Sequence, residues 1–132
     1  MRPPRRLEKA EQHAGVQLLR TACRAQVYVL GHARPKGDRQ ATMQSPGLPD
    51  VEGFLPRPGG GAVFFKWEVK RTGGRLSPAQ VDYRARCLEA GVAHIVGDLD
   101  ALIAWLIAEG FLRRDQVPYY RLPAAAELEV AR

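Results

Sequence analysis

The chain has 132 residues, of which 45% are hydrophobic, and carries a formal net charge of +6. This length fits one domain with one modest core, and the longest apolar stretch, residues 101–108, is too short to span a bilayer. We therefore expect no membrane partner, and the basic surface favours association with polyanions.

The first half of the chain predicts one helix followed by three strands. Apolar residues recur at helical spacing over residues 7–24. Strands are predicted over residues 26–30, 51–55 and 62–70, where β-branched and aromatic residues stand between glycine and proline breaks. The second and third strands should form a hairpin across the glycine run at 59–61.

The second half predicts a helix, a strand and another helix. Ser77 is followed by a proline, which marks a helix start, and that helix should end at Gly91. Residues 92–96 predict a fourth strand, after which Asp98 or Asp100 caps the next helix. The order predicts an α/β fold with an αβββαβ core, in which helices flank both faces of a mixed sheet.

We expect a single domain over residues 1–132, with a core at about 7–110 and a tail at 111–132. Residues 102–108 are apolar on nearly every face of the predicted last helix, although a helix buried on one side needs only an apolar stripe. Either the tail covers the outer face of this helix, or a second subunit does.

Two acids and a lysine stand where predicted strands end. Asp50 closes a proline- and glycine-rich turn, while Glu68 and Lys70 share one face at the end of the third strand. Mg²⁺ prefers hard oxygen ligands, and a neighbouring cation stabilises charge on a phosphate under attack. Asp50, Glu68 and the Val69 carbonyl are candidate ligands for Mg²⁺ or Mn²⁺, with Lys70 as the catalytic cation. The alternative is a solvated charge pair on a strand.

The motif Pro49-Asp50 followed by Glu68-Val69-Lys70 resembles the PD-(D/E)XK nuclease signature. The run at 71–80 (RTGGRLSPAQ) and the Gly-Val start of residues 91–96 make the chain similar to the VRR-NUC (virus-type replication-repair nuclease) family. The resemblance implies a restriction-endonuclease-like core and a metal-dependent DNA endonuclease acting in DNA repair.

The resemblance also implies further site residues and partners. Gln80 matches an active-site polar group of the family, and Glu8 matches the acid of its first helix, with Glu11 as the alternative. Branched or Holliday-junction DNA is the expected substrate. Small members of the family look able to form homodimers, so we expect a homodimer here.

Basic residues flank the predicted site on both sides. Arg34, Lys36 and Arg39 lie in a loop just before the turn that ends at Asp50, and Arg71 and Arg75 follow the third strand. In a nuclease these side chains would contact DNA phosphates. Without that function they are ordinary surface charges.

Two other functions compete with the nuclease. One is a non-catalytic nucleic-acid-binding module with a nuclease-like fold, although such a module has no reason to keep two carboxylates beside a phosphate. The other is a sequence-specific restriction enzyme, for which the chain seems too short because a recognition domain would have to be added.

The two cysteines indicate the expected compartment. Cys23 and Cys87 lie in helical patterns, and neither has a nearby Cys or His at zinc-ligand spacing. We therefore predict buried free thiols, which fit a reducing environment. The basic N-terminus precedes no apolar signal-peptide run, so we expect the cytoplasm of a bacterial or phage-infected cell.

Overall fold

Three α-helices and a four-stranded sheet form the part of the chain that the computed structural model describes, namely residues 5–30, 47, 49–71 and 73–118. In chain order the elements are α1 (Arg5–Thr21), β1 (Gln26–Val29), β2 (Val51–Pro56), β3 (Ala62–Val69), α2 (Pro78–Glu89), β4 (Ala93–Gly97) and α3 (Leu99–Ala108), followed by a 3₁₀ helix at Arg114–Gln116. The predicted αβββαβ order is confirmed. The first helix begins two residues earlier and ends three residues earlier than predicted, and Arg24, which has a positive φ of 53°, lies outside it.

The sheet is mixed, with the strand order β1-β2-β3-β4. The β1–β2 and β2–β3 pairs are antiparallel, whereas β3 and β4 run parallel and are joined by α2. The β2–β3 hairpin turns through Gly59, Gly60 and Gly61, all at positive φ, a conformation that glycine adopts without strain. This hairpin brings the start of β2 beside the end of β3.

The two faces of the sheet have different environments. Phe65, Trp67 and Val69 are buried on the face covered by α1 and α3. The approach of α1 is close, because a side chain at Gly15 would collide with the Trp67 ring. Side chains alternate along a strand, so Glu68 and its even-numbered neighbours lie on the opposite face, where α2 packs.

The segment after α3 packs against that helix. Phe111 contacts Trp105 with ring centroids 6.1 Å apart, and Leu112 and Val117 belong to the same buried cluster. Five consecutive α3 residues, Leu102 to Leu106, are buried within one chain. The start of the predicted tail therefore contributes to the burial of this apolar helix. The homodimer remains a prediction and gains no support from α3.

The described residues include both cysteines and three α-helices. Cys23 and Cys87 are both buried and free, and burial raises the pKa of the Cys23 thiol to about 11. Over the described ranges, no helix has the length and apolar character needed to cross a membrane.

Candidate active site

Asp50 and Glu68 lie beside each other at one edge of the sheet. Asp50 directly precedes β2, and the antiparallel register pairs Val51 with Trp67, next to Glu68. The main-chain N–H of Val69 donates a hydrogen bond of 2.9 Å to Asp50 Oδ2. The hairpin thus brings together the two acids that the sequence places far apart.

Glu68 is a buried carboxylate with two polar neighbours. Gln80 Nε2 donates to Glu68 Oε1 at 2.6 Å, and Lys70 Nζ lies 3.7 Å from the same oxygen. Burial and, to a smaller extent, the negative charge of Asp50 raise the pKa of Glu68 to about 7, although Lys70 opposes both effects.

Gln80 reaches Glu68 because the N-terminus of α2 is fixed from two sides. Ser77 and Gln80 form a capping box, in which Gln80 Oε1 accepts the Ser77 N–H at 2.8 Å and the Ser77 side chain accepts the Gln80 N–H. Gly47, at positive φ, approaches Ala79 so closely that a side chain there would collide with the Ala79 carbonyl. One amide therefore caps the helix and orients Glu68.

The two acids of α1 have separate environments. Glu11 Oε2 accepts the main-chain N–H of Leu99 at 2.6 Å, which places its charge at the N-terminus of α3. Glu8 is half-buried. Within the described residues, no three Asp, Glu, His or Cys side chains converge where they could hold a metal, and a role for Glu8 or Glu11 in the site stays a prediction.

The predicted basic residues divide into two groups. Lys70 and Arg71 line a cavity of about 270 Å³ between the end of β3 and the start of α3, and Arg75 is exposed nearby in sequence. Arg34, Lys36 and Arg39 lie outside the described residues.

A second polar row, which the sequence reasoning missed, crosses the same sheet face next to Glu68. Lys66 forms an ion pair with Glu52 and lies close enough to Tyr83 of α2 to influence its pKa. Tyr83 also packs edge-on against His94, with ring centroids 6.0 Å apart. The signal in the sequence was the alternation along β3, because Lys66 must share a face with Glu68 and Lys70.

His94 is buried in this row as a neutral side chain. Its Nδ1 has no hydrogen-bond partner among the described residues. Burial and, to a smaller extent, the nearby positive charge of Arg84 lower the pKa of His94 to about 4. His94 is therefore a structural residue of β4.

This burial predicts that His94 contributes pH-dependent stability. The unfolded chain binds a proton on His94 below about pH 6.5 and the folded chain only near pH 4, so the contribution is present above 6.5 and lost as pH falls to 4. We expect a loss on the order of 3 kcal/mol. Urea denaturation of wild type and His94→Phe between pH 4 and 7 measures this loss. As pH falls from 7 to 4, the free energy of unfolding of wild type should decrease by that amount relative to that of His94→Phe. A pH-independent difference would contradict the prediction.

The comparisons with known proteins agree with this architecture. A solved structure described as a VRR_NUC domain superposes with a TM-score of 0.55 at 24% sequence identity, covering 76% of this chain and 94% of that chain. No protein-family model and no curated protein matches the sequence. The chain therefore has the nuclease-type fold of a VRR_NUC domain, as the resemblance predicted.

Proposed function

We propose that this chain is a divalent-metal-dependent deoxyribonuclease of the VRR-NUC family. One observation carries the proposal, namely that Asp50, Glu68 and Lys70 meet at one sheet edge, with Lys70 Nζ 3.7 Å from Glu68 Oε1. The structural likeness to a VRR_NUC domain supports the same reading. The proposed reaction is hydrolysis of a DNA phosphodiester bond.

The donor set fits Mg²⁺ or Mn²⁺. Mg²⁺ is commonly bound by one or two carboxylates while it keeps several waters, so a third acidic side chain is unnecessary. Asp50, Glu68 and the Val69 carbonyl would hold the ion, and all three offer hard oxygen atoms. Burial and the negative charge of Asp50 raise the pKa of Glu68 to about 7, so a bound cation would offset the cost of keeping this carboxylate ionised. When bound, such an ion supplies Lewis-acid stabilisation and a more acidic water.

The protein side chains supply position and charge. Gln80 holds the Glu68 carboxylate in one orientation through its 2.6 Å hydrogen bond. Lys70 places an ammonium where negative charge grows on the phosphate, and its main-chain N–H is fixed to the Gly97 carbonyl at 3.0 Å. Water oxygen bonds to phosphorus as the bond to the leaving oxygen breaks, which yields a phosphate monoester and a hydroxyl.

We propose branched DNA, including Holliday junctions, as the substrate, with a homodimer presenting two sites to two strands. The net charge of +6 and the placement of Arg71 and Arg75 after β3 favour phosphate contacts. The competing function is a nucleic-acid-binding module that cuts nothing.

A cleavage assay tests this function. Labelled four-way junction, flap, single-stranded and linear duplex DNA are incubated with Mg²⁺, Mn²⁺ or EDTA. We expect metal-dependent cutting of the branched substrates, lost in Asp50→Ala because one of the two acids is gone. Asp82→Ala is the matched control, since Asp82 is an exposed acid on α2 paired with Arg86. Tight DNA binding without cutting in either metal would favour the binding module.

A further inference from the structure

Three aromatic side chains lie exposed on the sheet face that carries the candidate active site. Tyr28, Phe54 and Phe64 are 52%, 36% and 62% exposed, on β1, β2 and β3 respectively. We call these three residues the aromatic platform. Phe64 and Glu68 are four positions apart on β3, so their side chains share a face and are separated by about 13 Å along the strand.

The three platform residues form one surface. Phe54 and Phe64 are cross-strand partners whose rings meet edge to face, with centroids 6.0 Å apart. Tyr28 pairs with Glu52, which is two residues nearer to Asp50 along β2 than Phe54 is. Tyr28 therefore lies between the two phenylalanines and the active site. Together they line a shallow groove of about 190 Å³, which the Glu52–Lys66 ion pair borders.

The platform is not part of the hydrophobic core. The core lies on the opposite face, where Phe65 and Trp67 are fully buried. On the platform's face, α2 contacts Glu68 through Gln80 and His94 through Tyr83, whereas Tyr28, Phe54 and Phe64 stay exposed. Rings exposed as a contiguous patch beside a polar site mark a binding surface.

We propose that the aromatic platform stacks unpaired bases of the DNA strand that enters or leaves the active site. This inference rests on the proposed nuclease function and, among branched substrates, favours flaps and other DNA with a single-stranded segment over the fully paired Holliday junction. Every base has a flat π face, so stacking on aromatic side chains accepts any sequence. Bases inside an intact duplex are stacked on each other and cannot use the platform.

The chemistry of the patch favours bases over an apolar protein surface. Its three large side chains are all rings, whereas the exposed aliphatic residues lie elsewhere, Val29 on the other face of β1 and Val81 and Leu88 on α2. Its bordering charges neutralise each other as an ion pair. The surface is continuous with the edge that holds Lys70, where the phosphate backbone would be fixed.

Binding without metal tests the proposal independently of cleavage. Fluorescence anisotropy in EDTA compares labelled oligothymidine, a flap and a blunt duplex. We expect Phe64→Ala to weaken oligothymidine and flap binding by about 10-fold and to leave duplex binding unchanged. Phe64→Trp keeps a ring and should preserve affinity, with tryptophan fluorescence quenched by oligothymidine beyond that of wild type. Val81→Ala is the control, because Val81 is 54% exposed and lies off the platform.

The outcomes separate this inference from the nuclease proposal. Selective loss of single-strand affinity in a protein that cuts no DNA would support the platform and overturn the nuclease. Normal cutting together with unchanged oligothymidine binding by Phe64→Ala would overturn the platform alone. Equal loss of duplex affinity would also overturn it. Conversion of a dimer to a monomer by Phe64→Ala, seen by sedimentation, would assign this face to contacts between copies of the chain.

Discussion

Lys70→Ala is expected to lower the rate of DNA cleavage by about 10²- to 10³-fold, the usual cost of removing one group that stabilises transition-state charge. Lys70 Nζ lies 3.7 Å from Glu68 Oε1, so its ammonium lies beside the proposed metal ligands. DNA affinity should fall far less, because many phosphate contacts share the electrostatic attraction. Single-turnover rates with saturating metal and enzyme measure the chemical step alone.

Two further variants separate catalysis from general charge loss. Lys70→Arg keeps the positive charge but changes its shape, and we expect it to recover only part of the rate because a guanidinium is not a compact point charge. Lys9→Ala removes the same charge from an exposed position on α1 and should cleave at the wild-type rate. Full activity of Lys70→Ala would remove Lys70 from the proposed chemistry.

The strand end that carries Glu68 and Lys70 was predictable because its signals are local. Alternation along β3 decides which side chains share a face, and the glycine run at 59–61 marks the hairpin that returns the chain to Asp50. The helix start at Ser77 is equally local, since a capping box spans only four residues. These features needed no knowledge of how the helices pack.

The distant contacts were not predictable from the same patterns. Glu8 and Glu11 are three positions apart on α1 and look equivalent in the sequence, yet Glu11 meets the N-terminus of α3. That contact depends on how α1 and α3 pack on the sheet, which no local spacing determines. The same holds for the all-round apolar α3, whose Trp105 contacts Phe111 of the segment that follows it.

The aromatic platform was missed because aromatic strand residues usually indicate a core. Phe64 and Phe65 are adjacent, so only one of them can face the core, and the alternation with Trp67 assigns that place to Phe65. The exposure of Phe64 was therefore implied by the sequence. The sequence could not predict which part of the sheet face stays exposed, because that depends on where α2 packs.

Glu68→Gln is expected to abolish both cleavage and the stabilisation of the protein by Mg²⁺ or Mn²⁺. Burial and Asp50 raise the pKa of Glu68 from 4.5 to about 7, so between these values the folded chain binds more protons than the unfolded chain. Stability without metal therefore falls as pH rises through this window, by an amount on the order of 3 kcal/mol. Glutamine keeps an oxygen that accepts from Gln80 and removes the ionisable group, so at pH 8 in EDTA the variant should be the more stable protein.

Urea denaturation in EDTA from pH 4.5 to 8 measures this difference, and thermal unfolding with added metal measures the loss of binding. The His94 contribution has the opposite sign over nearly the same window, so wild type alone would show little pH dependence and the comparison with the variant is essential. Glu52→Gln is the matched control, because Glu52 is an acid on the same face, paired with Lys66, and should retain the metal-induced rise in Tm. A metal response that survives in Glu68→Gln would show that Glu68 is not a ligand, whatever the cleavage assay reports.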